Sequence, residues 1–402
     1  MEAVPPQPSI TPLLPSVAPP GVSVPTPPPP AGHTIALLAP LSGPLADIGQ
    51  GLANAAQLAL SPPGSPPLDV RDTGGTPQGA ATAASAAIAA GDALIIGPLT
   101  AGETQAVAPI ARQAGAAVLA FTNDPTMAQP GVWTLGITPL QQVQPMVGAE
   151  LAQNKSRFAA ALPNTPFGRA LGVALAQAVQ AAGAPPASIR FYENDNKAIA
   201  ATMRDVSDYA DRRGPLEARR RAALAQHTAA GRREAAALGR QPVPPAPFDA
   251  LLLGATGENL AWLSTFLPYY DVSAPEVQVM GPTIWAAPQA RQGATLDGAW
   301  YAGPDPAARA SFAAAYAAKY GAPPPGVADF AYDAAAIGRV LAASGPYSAT
   351  ALCQPQGFSG VDGLLALRPD GSVARSLALF RISGPGATMI QPPAASLPPA
   401  AP

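Results

Sequence analysis

Short apolar runs alternate with longer segments of helical spacing through most of this chain. Thr34–Leu38 reads as a strand, and Pro40-Leu41-Ser42-Gly43-Pro44 turns into a helical segment at Gly49–Leu60. Leu68–Arg71 reads as the second strand. Thr76-Pro77 has the form of an N-cap followed by proline in the first helical turn, where the missing N–H has no helical partner to lose. The predicted helix runs over Ala80–Ala90 and stops at Gly91, because glycine takes the left-handed cap conformation without strain. A strand at Ala93–Ile96, a helix at Thr104–Ala114 and a strand at Ala116–Ala120 continue the series. Strands this uniformly apolar are covered on both faces, so such βα units imply a parallel sheet between helical layers.

The alternation then restarts. Arg157–Leu162 reads as a strand, Gly168–Ala182 as a helix and Ser188–Tyr192 as a strand. A charged helical stretch runs from about Ala198 to Arg240. Phe248–Leu253 (strand), Asn259–Leu267 (helix), Val277–Met280 and Ala299–Tyr301 (strands) follow. Asp305-Pro306 looks like another cap with a first-turn proline, and Asp329–Ala343 is a further helix. Phe358–Leu367 and Ser376–Ile382 read as closing antiparallel strands around the turn Pro369-Asp370-Gly371. The expected fold class is α/β: two Rossmann-like doubly wound lobes with a hinge, and an arginine-rich helical insertion in lobe two. Three crossings are expected, near residues 139, 302 and 357. Lobe one is then 33–138 plus 303–356, and lobe two is 139–302 plus 357–390. Sheets of this kind bind ligands beyond the C-terminal ends of their strands.

Composition changes that picture at the ends. Of 52 prolines, 12 fall in the first 30 residues. Residues 1–32 are expected to be a disordered proline-rich tether, and 391–402 a disordered tail. A polyproline segment of that length reaches up to roughly 100 Å at ~3.1 Å per residue. The net charge of −2 gives no basic surplus for nucleic acid. One cysteine, Cys353, excludes an intrachain disulfide, and two histidines, His33 and His227, exclude three-histidine and Cys₂His₂ zinc sites. No metal or cofactor is expected. No apolar run reaches the ~18 residues of a membrane helix, and the start shows no signal-peptide pattern, as in a mature form that begins after one.

Catalytic signatures are absent as well. The chain has no Gly-x-Gly-x-x-Gly, no phosphate-binding Gly-x-x-x-x-Gly-Lys-Ser/Thr and no Gly-x-Ser-x-Gly. No serine stands three residues before Lys155, Lys197 or Lys319, so the Ser-x-x-Lys nucleophile of penicillin-binding enzymes is missing. Catalytic residues are expected to be none, although two distant carboxylates of a hydrolase would leave no local pattern.

Several segments together resemble the type 1 periplasmic binding protein fold, whose members include leucine/isoleucine/valine receptors. Ile35-Ala36-Leu37-Leu38-Ala39-Pro40-Leu41-Ser42-Gly43 looks like its first strand and loop, and Ile95-Ile96-Gly97-Pro98-Leu99-Thr100 like its third strand and ligand loop. Pro166-Phe167-Gly168, Tyr332-Asp333-Ala334 and Phe358-Ser359-Gly360-Val361-Asp362-Gly363 fit too. More narrowly, Arg71-Asp72-Thr73-Gly74-Gly75-Thr76-Pro77, Ala120-Phe121-Thr122-Asn123-Asp124, Phe248-Asp249-Ala250-Leu251-Leu252-Leu253 and Ala302-Gly303-Pro304-Asp305-Pro306-Ala307 resemble the penicillin-binding protein activator family. The resemblance covers about residues 33–390 and lacks that family's helical repeat domain, in whose place stands the proline-rich segment.

The resemblance implies a ligand cleft at Ser42, Thr100, Ala101, Thr104, Thr122, Asn123, Asp124, Phe167, Thr256 and Thr283. An amino acid receptor would clasp a carboxylate with serine where Ala101 stands, and an ammonium with an acid where Thr283 stands. Its aromatic walls fall at Ile48 and Thr256, with a ring kept only at Phe167. What remains is hydroxyl-rich and nearly uncharged, suited either to a small polar ligand or muropeptide, or to capping helices and satisfying loops. The segment Arg204–Arg240 carries nine arginines and five acids. Arg219, Arg220 and Arg221 are the candidate partner-binding residues; a salt-laced exposed helix is the alternative. The leading expectation is a non-enzymatic periplasmic regulator that resembles activators of peptidoglycan synthases (penicillin-binding proteins), lipid-anchored in its precursor. The second is a substrate-binding receptor of an ABC importer for an amino acid or other small polar solute.

Overall fold

A computed structural model describes residues 11–12 and 33–397. They form two units. The first holds 33–138, 304–377 and 393–397, and the second holds 139–303 and 378–392.

The main sheet of the first unit is parallel throughout. Its order is Leu68–Asp72, Ile35–Ala39, Leu94–Ile96, Ala117–Ala120, Val132–Thr134. Strand periodicity sends alternate residues to opposite faces. Ile35, Leu37, Leu94, Ile96 and Leu119 lie in one core with helices Ala46–Ala59 and Ala328–Ala342. Ala36, Leu38, Ile95, Val118 and Ala120 lie in another with Pro77–Ala90 and Ala101–Ala114. Both faces are therefore dry, which is why these strands read as unbroken apolar runs. A smaller antiparallel sheet, Phe358–Gly360, Gly363–Leu367 and Val373–Arg375, sends Phe358, Leu365, Leu367 and Val373 into the first of these cores.

The second unit has a seven-stranded sheet in the order Gly386–Gln391, Ala378–Ser383, Trp300–Gly303, Gln278–Gly281, Ala250–Leu253, Phe158–Pro163, Ser188–Tyr192. The five strands from Trp300–Gly303 onward are parallel, and the two at the other edge are antiparallel. Helices Asn196–Val206 and Gly257–Tyr269 bury Ile199, Met203, Leu260 and Leu263 against one face.

Three expectations need correction. The chain passes between units at 138/139, 303/304, 377/378 and again at 392/393, so residues 357–377 belong to the first unit rather than the second. The turn at Pro369-Asp370-Gly371 closes a hairpin of Gly363–Leu367 with Val373–Arg375, whereas Ala378–Ser383 leaves to pair with Trp300–Gly303. Period-2 apolarity is common to both stretches and cannot say which sheet each joins. Second, Gln391 ends a strand and the Ser376 hydroxyl donates to Ala394 O at 2.9 Å, so the expected tail begins as ordered chain. Third, Thr11–Pro12 forms a two-residue strand beside Phe358–Ser359; the rest of the expected tether lies outside the described residues.

The insertion is three helices, Asn196–Val206, Tyr209–Ala225 and Ala229–Leu238. The breaks fall at Asp208 and His227, both in left-handed backbone conformation. The last two helices bury little apart from Arg212, Ala223, Gly231, Ala235 and Leu238. Arg212 supplies what their thin core does not. Its guanidinium donates to Ser207 O at 2.8 Å, Pro244 O at 2.7 Å and Tyr270 O at 2.5 Å, closing three carbonyls at the ends of separate segments. Replacing Arg212 with alanine should cost about 3 kcal/mol of stability in urea unfolding, because buried carbonyls lose charge-assisted partners. Arg212→Lys should recover less than half of that, since an ammonium cannot span the three acceptors.

Candidate functional site

In the first unit the candidate residues sit on the loops after the parallel strands, and most of them are bonded to each other. Thr100 caps the helix Ala101–Ala114, accepting from Glu103 N–H, while the Glu103 carboxylate accepts from Thr100 N–H at 3.0 Å and Thr100 Oγ1 at 2.7 Å. The other Glu103 oxygen accepts from Thr73 Oγ1 at 2.5 Å, and the whole residue is out of water. Thr104 Oγ1 donates back to Thr100 O at 2.8 Å. The hydroxyls of Thr100 and Thr104 are thus occupied by capping. This capping box is legible in the sequence as Thr-x-x-Glu at 100–103.

The neighbouring loops repeat the arrangement. Asp72 Oδ1 accepts from the N–H groups of Leu41, Ser42 and Gly74 at 2.8, 3.2 and 2.8 Å. The Ser42 hydroxyl and the Gly74 amide hold the Asp72 carboxyl below its ordinary range. Thr122 Oγ1 accepts from Asp124 N–H, and Asp124 Oδ1 accepts from the N–H and hydroxyl of Thr126. Asn123 is exposed and makes no side-chain hydrogen bond, and Ala101 offers no polar group.

In the second unit Thr165 caps Pro166–Ala181, the helix that carries half-buried Phe167. Thr283 N–H donates to Gln142 Oε1 at 2.9 Å and its hydroxyl donates to Ala302 O at 2.6 Å, so Thr283 ties its own loop down. Behind it Trp285 is buried, donates from Nε1 to Ala255 O at 2.9 Å, and lies flat against Gly281, where any Cβ would strike the ring. Thr256 precedes Gly257–Tyr269 but makes no capping bond and is exposed. Of the ten cleft candidates, Asn123 and Thr256 are those that keep a free polar side chain.

Arg219, Arg220 and Arg221 all lie exposed on Tyr209–Ala225, but they do not act as one group. Successive helical residues point about 100° apart. Arg220 pairs with Glu217 at 3.6 Å, whereas Arg219 and Arg221 carry no ion pair. On the next helix Arg232 and Arg233 are likewise exposed and unpaired, and belong with the same surface. Two helices that bury little thus carry four guanidiniums with no ion-pair partner among the described residues.

Two units, each with parallel strands between helices and polar loops at the strand ends, are the layout of a two-lobed α/β binding-protein fold. The chain belongs to the periplasmic binding protein family, whose model matches residues 33–387, and membership implies a periplasmic location. Among solved structures, a candidate branched-chain amino acid ABC transporter protein of Rhodospirillum rubrum has a TM-score of 0.68 at 19% identity, covering 89% of this chain and 99% of its own. The C-domain of Haemophilus influenzae LpoA, a regulator of PBP1A, has a TM-score of 0.61 at 17% identity, covering 89% and 99%. Full-length LpoA is covered over 59% of its length, at a TM-score of 0.61 and 18% identity. No curated protein sequence matches the chain. No helix among the described residues is long and apolar enough to cross a membrane.

If the loop hydroxyls serve structure, their removal should show in stability. Glu103→Gln should cost about 2 kcal/mol, because one of its three donors then faces an amide N–H₂. Thr256→Ala should shift stability by less than about 0.5 kcal/mol. Urea melts of the two variants check both values.

Proposed function

We propose that this chain is a non-enzymatic periplasmic regulator that works by protein–protein contact, with a peptidoglycan synthase as its partner. The observation that carries the reading is a division of labour among polar groups. The hydroxyls and acids at the strand ends are bonded within their own units, while unpaired guanidiniums are gathered on the helices Tyr209–Ala225 and Ala229–Leu238. A receptor for a zwitterion needs desolvated, charged partners at the strand ends. Position 101 is alanine, and Thr283 is already engaged. Arginine, by contrast, is enriched among residues that dominate protein interfaces. The likeness to LpoA supports the same reading at the level of fold.

The regulator shifts its synthase toward an active conformation by binding that state more tightly. A lipid anchor on the precursor and the proline-rich segment 1–32 would let the folded region act at a distance from a membrane. A solute receptor of an ABC importer is the second reading, supported by the likeness to the Rhodospirillum rubrum protein and by the free side chains of Asn123 and Thr256.

Replacing Arg219, Arg220 and Arg221 together by alanine should leave the melting temperature unchanged, since none of the three makes a buried contact. The same change should weaken binding to the cognate synthase at least tenfold, more strongly at low salt than at physiological salt. Unchanged affinity at both salt concentrations would remove this surface from the account.

A further inference from the structure

The first unit contains a second concentration of charge, and this one is buried. Asp329 and Asp333 lie on Ala328–Ala342, Asp362 on the turn between Phe358–Gly360 and Gly363–Leu367, Arg375 at the end of Val373–Arg375, and Arg309 on Pro306–Tyr320. The side chains of Asp329, Asp362 and Arg375 are 4%, 4% and 1% exposed. Arg309 Nε pairs with Asp329 Oδ2 at 2.6 Å, and Arg375 Nη1 lies 3.8 Å from Asp362 Oδ2. Arg375 Nη2 donates to Leu135 O at 2.8 Å, and its guanidinium lies over the Phe330 ring. Asp333 Oδ1 accepts from Val361 N–H at 2.8 Å, its other oxygen is buried without a partner, and Gly360 lies against the carboxyl so closely that a Cβ would collide with it.

We infer that these five residues form a proton-coupled clamp on the chain segments that leave the first unit. Three of the four passage points lie close to it in the chain. Leu135 precedes the passage at 138/139, Arg309 follows the one at 303/304, and Arg375 precedes the one at 377/378. The adjacent Ser376 holds Ala394, just after the passage at 392/393. Such element-terminal residues are where hinges absorb backbone change.

The proton enters through a charge mismatch. Three buried carboxyls face two guanidiniums, and Asp333 is the carboxyl with no guanidinium in contact. The charges acting on it are Asp362, Arg375 and Asp329; Arg309 acts on Asp329 and Asp362 from its own helix. Burial, then the Asp362 charge, pushes Asp333 up to about 8. Burial, opposed by the Arg309 hydrogen bond, leaves Asp329 at about 7, and burial also raises Asp362. A group protonated in the closed state and ionised in the open one releases its proton on opening. The closed clamp is therefore firmest below the ordinary carboxyl range and loosens as pH rises toward about 8. Opening then grows about tenfold per pH unit for each proton released, and flattens above that value.

Hydrogen exchange of the full chain between pH 5.5 and 8, corrected for the intrinsic rate, tests this. Protection at residues 133–138, 304–309 and 373–377 should fall at least about tenfold per pH unit in the wild type. Asp333→Asn keeps the acceptor for Val361 and cannot ionise, so its slope should be smaller than the wild type's by about tenfold per pH unit, the share of one proton. A wild-type protection independent of pH, or an equal slope in Asp333→Asn, would overturn the inference. Should that variant fail to fold, the wild-type slope alone still decides.

Discussion

The buried carboxylate of Glu103 is the interaction on which the polar end of the first sheet depends. A carboxylate without water must be surrounded by donors, and three are supplied by Thr73 and Thr100. That requirement joins the loop after Leu68–Asp72 to the loop after Leu94–Ile96 and fixes the start of Ala101–Ala114. Once it is met, Thr100 and Thr104 have no free hydroxyl proton to offer a ligand. Asp72 acts the same way on the first loop, and Thr283 on the second unit's. The strand ends of this protein are built as ordinary capped loops, and their polar residues follow from that structural need.

Arg212 and Arg291 show arginine used as a structural part: each is buried and donates to three backbone carbonyls. Among the described residues, Arg219, Arg221, Arg232 and Arg233 have no ion-pair or hydrogen-bond partner. Free guanidiniums on a thinly packed hairpin are costly to bury but ready to pair, a property suited to a surface that meets another macromolecule.

Much of the fold was legible in the sequence because strands such as Ile35–Ala39 and Ala250–Leu253 are buried on both faces and several helices open on clear caps. Thr76-Pro77 and Asp305-Pro306 both start helices as their pattern predicts. Other features left no local trace. Asp208 and His227 break the insertion by taking left-handed backbone without being glycine. The helix Pro139–Leu151 runs through Pro145, a residue that ordinarily marks a helix break in a sequence. The passage at 377/378 is decided by which sheet edge is open to a strand, a property of the assembled unit. At the site, the hydroxyl-rich positions could be found by resemblance, but their hydrogen-bond partners could not. Ser-, Thr- and Asp-rich loops look alike whether they hold a ligand or cap a helix.

With all of the cleft's polar side chains but Asn123 and Thr256 engaged within their own units, a free branched-chain amino acid is not expected to bind. Isothermal calorimetry and thermal shift with leucine, isoleucine and valine, extended to sugars and muropeptides, test it most directly. The account predicts no heat of binding to the branched-chain amino acids and no change in melting temperature at millimolar ligand. A Kd near 1 μM for any of them, about −8 kcal/mol, with stabilisation that grows with ligand concentration, would contradict it.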